Sequence, residues 1–194
     1  MRWFSVGPTL SLKGRRFKGL RGWAGKPTHP PLTDIPVAAY VIAPAFDLLS
    51  VIKGEGETGR YLFVAATYLF IAGAVVAGPT ALTGFWDWWK STPKGTQAWR
   101  TANTHMAIML VVSALVAVNI ITRLSVFEET LATSVPRMIL SLAIGSLVAL
   151  GAAYGGALVY DYEFNVEQDK GYAWEEREED VYPHQEPPKG GSHA

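Results

Sequence analysis

Long apolar segments alternate with short polar segments along this chain. Three of them carry no charged residue, namely 61–86, 101–122 and 138–160. Each exceeds the roughly 20 residues that an α-helix needs to cross a hydrocarbon core of about 30 Å. A fourth segment, 35–52, is shorter and contains Asp47 and two prolines, but it is apolar enough to insert. The pattern predicts an all-α polytopic membrane protein whose four transmembrane helices form an antiparallel bundle.

The charges of this chain are segregated although its net charge is zero. The first 26 residues contain seven basic and no acidic side chains, whereas the last 34 contain ten acidic and three basic ones. The loop between the second and third spans adds three basic residues, Lys90, Lys94 and Arg100. Because basic residues near span ends favour the cytoplasmic side, we expect both termini to be cytoplasmic.

These observations divide the chain into three regions. Residues 1–26 form a basic amphipathic arm that is expected to lie on anionic headgroups. Residues 27–160 form the transmembrane domain, and residues 161–194 form an acidic, aromatic tail that is expected to be partly disordered. The arm and the tail are candidates for contacts with other membrane subunits, and nothing indicates a nucleic-acid partner. The absence of cysteine excludes disulfides, thiolate zinc sites and cysteine-ligated iron–sulfur clusters within this sequence.

Two charged residues within the spans are predicted to form an ion pair. Asp47 lies near the outer end of the first span, and Arg123 lies at the outer end of the third. Charged groups in hydrocarbon are costly and usually find partners inside the bundle. We therefore expect an Asp47–Arg123 ion pair that holds the first and third helices in register. The alternative is that each side chain reaches water separately.

Three other polar residues are predicted to gather at the cytoplasmic edge. His29 precedes the first span, Asp87 follows the second and His105 begins the third. Asp87 is expected to pair with His105 and to orient its imidazole, as a carboxylate does behind a metal-bound histidine. Three interpretations stay open. The three side chains form a purely structural network, or His29 and His105 are axial ligands of a b-type haem, or all three bind a transition metal ion.

The order of these motifs resembles that of a bacterial family of four-helix integral-membrane proteins, catalogued as a domain of unknown function. The shared pattern is His-Pro before a span bearing Asp, Thr-Gly-x-x-Asp ending the second span, and a third span that opens with His and closes with Arg. Gly-Gly-x-Leu-Val-Tyr ends the fourth span. The resemblance covers about residues 27–160. The corresponding residues are His29, Pro30, Asp47, Gly84, Asp87, His105, Arg123, Gly155, Gly156 and Tyr160.

The resemblance implies a redox setting, because members of that family occur beside or fused to Rieske-type iron–sulfur domains. This sequence has no cysteine, so an iron–sulfur partner is expected to be a separate subunit. The leading hypothesis is a membrane subunit of an electron-transfer assembly in the bacterial inner membrane, with haem b or a metal at the histidine site. The alternative is a cofactor-free accessory subunit that stabilises a larger complex. The sequence contains no self-contained catalytic constellation, which favours a non-catalytic subunit.

Overall fold

Four long helices account for most of the structure, a computed structural model that describes residue 20 and residues 27–163. They are α1 (His29–Lys53), α2 (Glu57–Ser91), α3 (Gln97–Leu124) and α4 (Val135–Tyr160). All four are long and apolar enough, by length and composition, to cross a membrane. The prediction of an all-α protein with four membrane-spanning helices is confirmed. The predicted basic arm and most of the acidic tail lie outside the described residues.

The helices are longer than the apolar segments that predicted them. Helix α1 begins at His29, six residues before the predicted span, because Pro30 and Pro31 occupy the first turn, where no backbone donor is required. Helix α3 begins at Gln97, where the Thr96 side chain accepts a hydrogen bond from the Trp99 N–H at 3.1 Å. His29 and His105 therefore both lie within helices.

The helices form a ring in the order α1, α2, α3, α4. Helix α1 packs most extensively on α2, α3 packs on α4, and α4 also packs on α1, whereas the seam between α2 and α3 is the least extensive of the four. Glycine allows the closest approach of α1 and α2, because a Cβ at Gly73 would lie 2.6 Å from Tyr40 Cε1. The bundle thus consists of two tight hairpins, α1–α2 and α3–α4.

The outer surface of the bundle is apolar. Val75 is 71% exposed, Leu82 is 74% exposed and Ile121 is 67% exposed, and further large apolar side chains are exposed on all four helices. A surface of this kind is stable only when another apolar phase covers it. Contact with a lipid bilayer follows from this surface and from the length of the helices.

The interior differs along its length. An apolar cluster fills the middle of the bundle. We call the two ends of the bundle the arginine end and the histidine end, after Arg123 and the two histidines. The arginine end contains the end of α1, the start of α2, the end of α3 and the start of α4, and it buries Phe63, Phe70 and Arg123. At the opposite histidine end, the buried residues of the four helices are mostly small. They are Pro36, Thr83, Asp87, Thr101, Ala102, Gly151 and Leu158.

Candidate functional site

The imidazole of His29 is held by α2. Its Nδ1 lies 3.0 Å from the carbonyl oxygen of Thr80. Because a carbonyl can only accept a hydrogen bond, Nδ1 carries the proton, and in the neutral imidazole Nε2 then keeps its lone pair. The ring lies against the backbone of Gly84, where a Cβ would be 2.6 Å from His29 Cε1. A glycine is therefore required at this position for the imidazole to dock on α2.

The imidazole of His105 is held by α4 in the same manner. Its Nδ1 lies 2.8 Å from the carbonyl oxygen of Gly151, which again places the proton on Nδ1. The ring lies over Gly155, where a Cβ would be 3.2 Å from His105 Cε1. Each histidine thus docks on the other helix of its own hairpin and keeps Nε2 as its remaining ligand atom.

Both imidazoles lie at the histidine end of the bundle. They belong to helices α1 and α3, which occupy opposite corners of the ring of helices. Both histidines are half-buried. Within the described residues, neither Nε2 atom has a hydrogen-bond partner. The sequence predicted that the histidines share one end of the bundle, but it did not predict the backbone carbonyls that orient them.

Asp87 has a different partner from the one predicted. The expected pairing was with His105, whereas the structure gives that imidazole the Gly151 carbonyl. Asp87 is 1% exposed, and its Oδ1 accepts a hydrogen bond from the Leu20 N–H at 2.9 Å. The Leu20 carbonyl in turn accepts from the Thr28 hydroxyl at 3.0 Å. Asp87 therefore ties Leu20 to the end of α2.

The predicted three-ligand metal site is not formed by the side chains that the structure describes. Within this part of the chain, no three His, Cys, Asp or Glu side chains are close enough to hold one metal ion. The structure instead places each histidine on a glycine of the neighbouring helix, His29 on Gly84 and His105 on Gly155. Gly84 and Gly155 belonged to the motifs noted in the sequence, but their role as docking surfaces depends on neighbouring helices.

The arginine end contains a buried polar network centred on Arg123. Both Arg123 and Asp47 are 0% exposed, and Arg123 Nη2 pairs with Asp47 Oδ2. The same guanidinium donates to Asn119 Oδ1 at 3.1 Å, to Thr67 Oγ1 at 3.2 Å and to Ser141 Oγ at 3.1 Å. One side chain of α3 thus bonds to α1, α2 and α4. The alternative of two separately hydrated charges does not describe this geometry.

Asp47 and the aromatic rings complete this network. Asp47 Oδ1 accepts from the Thr133 hydroxyl at 2.8 Å, and Asp47 Oδ2 also accepts from Ser141. The Arg123 guanidinium lies 5.3 Å from the Phe63 ring centroid and 5.0 Å from that of Phe70. Charge, hydroxyl donors and rings therefore compensate the burial of the arginine. The sequence analysis did not predict these additional partners; Thr67 and Ser141 are hydroxyl residues within apolar spans, whereas Thr133 lies in the loop before α4.

The fold defines the class of this protein as a four-helix polytopic membrane protein. The family model described as "Predicted membrane protein (DUF2231)" matches residues 25–168. Because the match covers more than half of the 194 residues, the chain belongs to this family. A search of curated proteins finds no match, and a search of solved structures finds none either.

Proposed function

We propose that this chain is a membrane subunit of an electron-transfer assembly and that His29 and His105 hold a b-type haem between them. The observation that supports this proposal is the matched orientation of the two imidazoles. Each donates its Nδ1 proton to a backbone carbonyl, and each retains the Nε2 lone pair that axial ligation requires. A hydrogen bond behind a ligating imidazole fixes its tautomer and its ring orientation.

The residues at this end of the bundle support the proposal of a planar group there. The buried positions of the helices there are mostly small, and the α2–α3 seam, which separates the two hairpins, is the least extensive contact. Gly84 and Gly155 leave room for the imidazoles to lie close to the helix backbones. One histidine on each hairpin, both at the same end of the bundle, is a ligand pair that suits a haem.

A haem bound here would supply one-electron transfer. The chain itself would contribute two neutral imidazoles on opposite helices, their orientation and an apolar surround. Asp87 would hold the Leu20 backbone at this end of the bundle. In this proposal the chain provides no catalytic group of its own, and the substrate chemistry belongs to partner subunits.

We further propose a bacterial inner-membrane location with both termini in the cytoplasm. The support is the charge distribution. Seven basic residues precede α1, and Lys94 in the loop between α2 and α3 is flanked by Lys90 and Arg100 at the same end of the bundle. The histidine end would then be the cytoplasmic end. The basic arm and the acidic tail would face the same compartment, where they are available to partner subunits.

Absorption spectroscopy of the protein purified in mild detergent tests the haem proposal. We expect a Soret band that shifts on reduction with dithionite and that is lost in both His29→Ala and His105→Ala. His184→Ala is the matched control, because His184 lies outside the family match, and its spectrum should be unchanged. A folded, colourless protein without bound metal would refute the proposal and support the alternative, a cofactor-free accessory subunit. Subunits that co-purify would identify the assembly in either case.

A further inference from the structure

A second candidate site lies beside the histidine end, where α2 gives way to α3. A cavity of about 310 Å³ is formed there by four aromatic rings, one hydroxyl and one ammonium group. Its lining residues are Phe85, Trp88, Trp89, Thr92, Lys94 and Trp99. This volume is at the lower end of the range typical of small-molecule sites. The loop that carries Lys94 and the end of α2 therefore border a cavity that the proposed haem site does not use.

One polar atom of this cavity lacks a partner. Thr92 is 8% exposed, and its hydroxyl is one of two buried side-chain polar atoms without a hydrogen bond in the described part of the chain. The backbone N–H of Thr92 bonds to the Trp88 carbonyl at 3.3 Å, so the residue is fixed at the end of α2. A buried hydroxyl without a partner costs free energy unless a ligand or water meets it. Because Thr92 also lines the cavity, a group that binds there is a candidate partner for this hydroxyl.

The walls of the cavity are held in place by neighbouring contacts. The Trp88 indole donates from Nε1 to Asn103 Oδ1 at 2.8 Å and packs on Phe85 with a centroid distance of 5.6 Å. Lys90 Nζ lies 4.5 Å from the Trp89 ring centroid, so the ammonium of Lys90 is engaged on that ring. Phe85 is 52% exposed and Trp89 is 57% exposed, so the cavity opens towards the surroundings of the bundle.

We propose that this cavity binds the head group of a membrane quinone. Flat aromatic walls favour a planar ring in an offset stack, and the Thr92 hydroxyl and Lys94 ammonium can donate to its carbonyl oxygens. A ligand that reaches this position from the bilayer must be lipid-soluble, and its apolar tail can lie along the apolar surface of the helices. The cavity would bind a lipid phosphate less well, because only one cationic side chain lines it.

The position of the cavity connects it to the histidine site. Phe85 follows Gly84, which lies beneath His29, and Asn103, which holds Trp88, is two residues before His105. A quinone here would be a lipid-soluble electron donor or acceptor next to the proposed haem. This redox role rests on the proposed function, whereas binding of the head group rests on the cavity alone.

Saturable quenching of tryptophan fluorescence tests the binding. The purified full-length protein in nanodiscs is titrated with a short-chain benzoquinone, and we expect one site per chain. Thr92→Val keeps the shape of the side chain and removes the hydroxyl, so the Kd should rise about five-fold. Thr104→Val is the control, because Thr104 is exposed on α3 and outside the cavity, and it should bind as the unaltered protein does.

Several results would overturn this proposal. They are quenching that rises linearly without saturation, an unchanged Kd in Thr92→Val, and an equal loss in Thr104→Val. Displacement by phosphatidylglycerol without any saturable quinone binding would assign the cavity to a lipid headgroup and would also reject it. Titration of the His29→Ala, His105→Ala double variant separates the two proposals. Quinone binding retained there supports the cavity, while the haem spectrum independently tests the histidine site.

Discussion

The buried Asp47–Arg123 pair provides the sharpest test of how this bundle is stabilised. Arg123→Met keeps an unbranched side chain of moderate length but removes the donors to Asp47, Thr67, Ser141 and Asn119. The Asp47 carboxylate is then left with the hydroxyl donors at its two oxygens and with no cation. The reciprocal change, Asp47→Asn, keeps the shape of the side chain and removes the counter-charge of a guanidinium that is 0% exposed.

The magnitude follows from the burial of both partners. Removing one partner of a buried ion pair costs about 3–5 kcal/mol, because the other charge is left uncompensated. We therefore expect each single variant to lower the free energy of unfolding by about 3 kcal/mol, which is more than 100-fold in the unfolding equilibrium. The double variant contains neither charge, so its loss should be clearly smaller than the sum of the two single losses. The coupling energy should be about 2 kcal/mol or more.

Unfolding of the purified protein in mixed micelles of increasing SDS content measures these differences. Helicity from circular dichroism and tryptophan fluorescence should report the same transition. Arg137→Met is the control at the same end of the bundle. The Arg137 side chain is half-buried and donates to the Thr122 carbonyl at 3.3 Å, and its loss should cost less than about 1 kcal/mol.

Two results would refute this reasoning. One is a loss of less than about 1 kcal/mol in both single variants, which is the range typical of exposed pairs. The other is strict additivity in the double variant, because independent charges have no coupling energy. Either result would mean that water reaches the two charges separately, as the alternative interpretation of the sequence holds.

Two further predictions concern the docking of His29 and the orientation of the chain in the membrane. Gly84→Ala places a methyl group 2.6 Å from His29 Cε1, so it should displace the imidazole and abolish the haem band. It should also lower the free energy of unfolding by about 1–3 kcal/mol. The control is Gly78→Ala on the same helix, whose methyl group meets nothing within 4 Å and which should be neutral or stabilising. Orientation can be measured with single cysteines, since the chain has none. An impermeant maleimide added to spheroplasts should label Glu55→Cys and not Lys94→Cys, and the opposite pattern would contradict cytoplasmic termini.

The resemblance noted in the sequence and the match to a family model concern nearly the same residues, about 27–160 and 25–168. The residues of the motifs that supported the resemblance have different roles in the structure. Gly84 and Gly155 support imidazoles, Asp87 holds the Leu20 backbone, and Arg123 bonds to every other helix. A motif in one sequence thus indicated which residues have special roles, but the nature of each role came from the packing.

The sequence by itself determined the four spans, their alternating direction and the grouping of polar residues at two ends. Span length and apolar composition decide these properties, because each helix must satisfy its backbone hydrogen bonds internally within lipid. Their positions near the outer ends of the first and third spans also placed Asp47 and Arg123 at the same depth. Only the tertiary structure decided which groups complete each site. The Thr80 and Gly151 carbonyls that orient the histidines belong to neighbouring helices, and backbone acceptors leave no signature in residue identity. The Leu20 N–H as a partner of Asp87 was likewise decided by the tertiary structure, since one carboxylate can accept from any donor that the fold brings within reach.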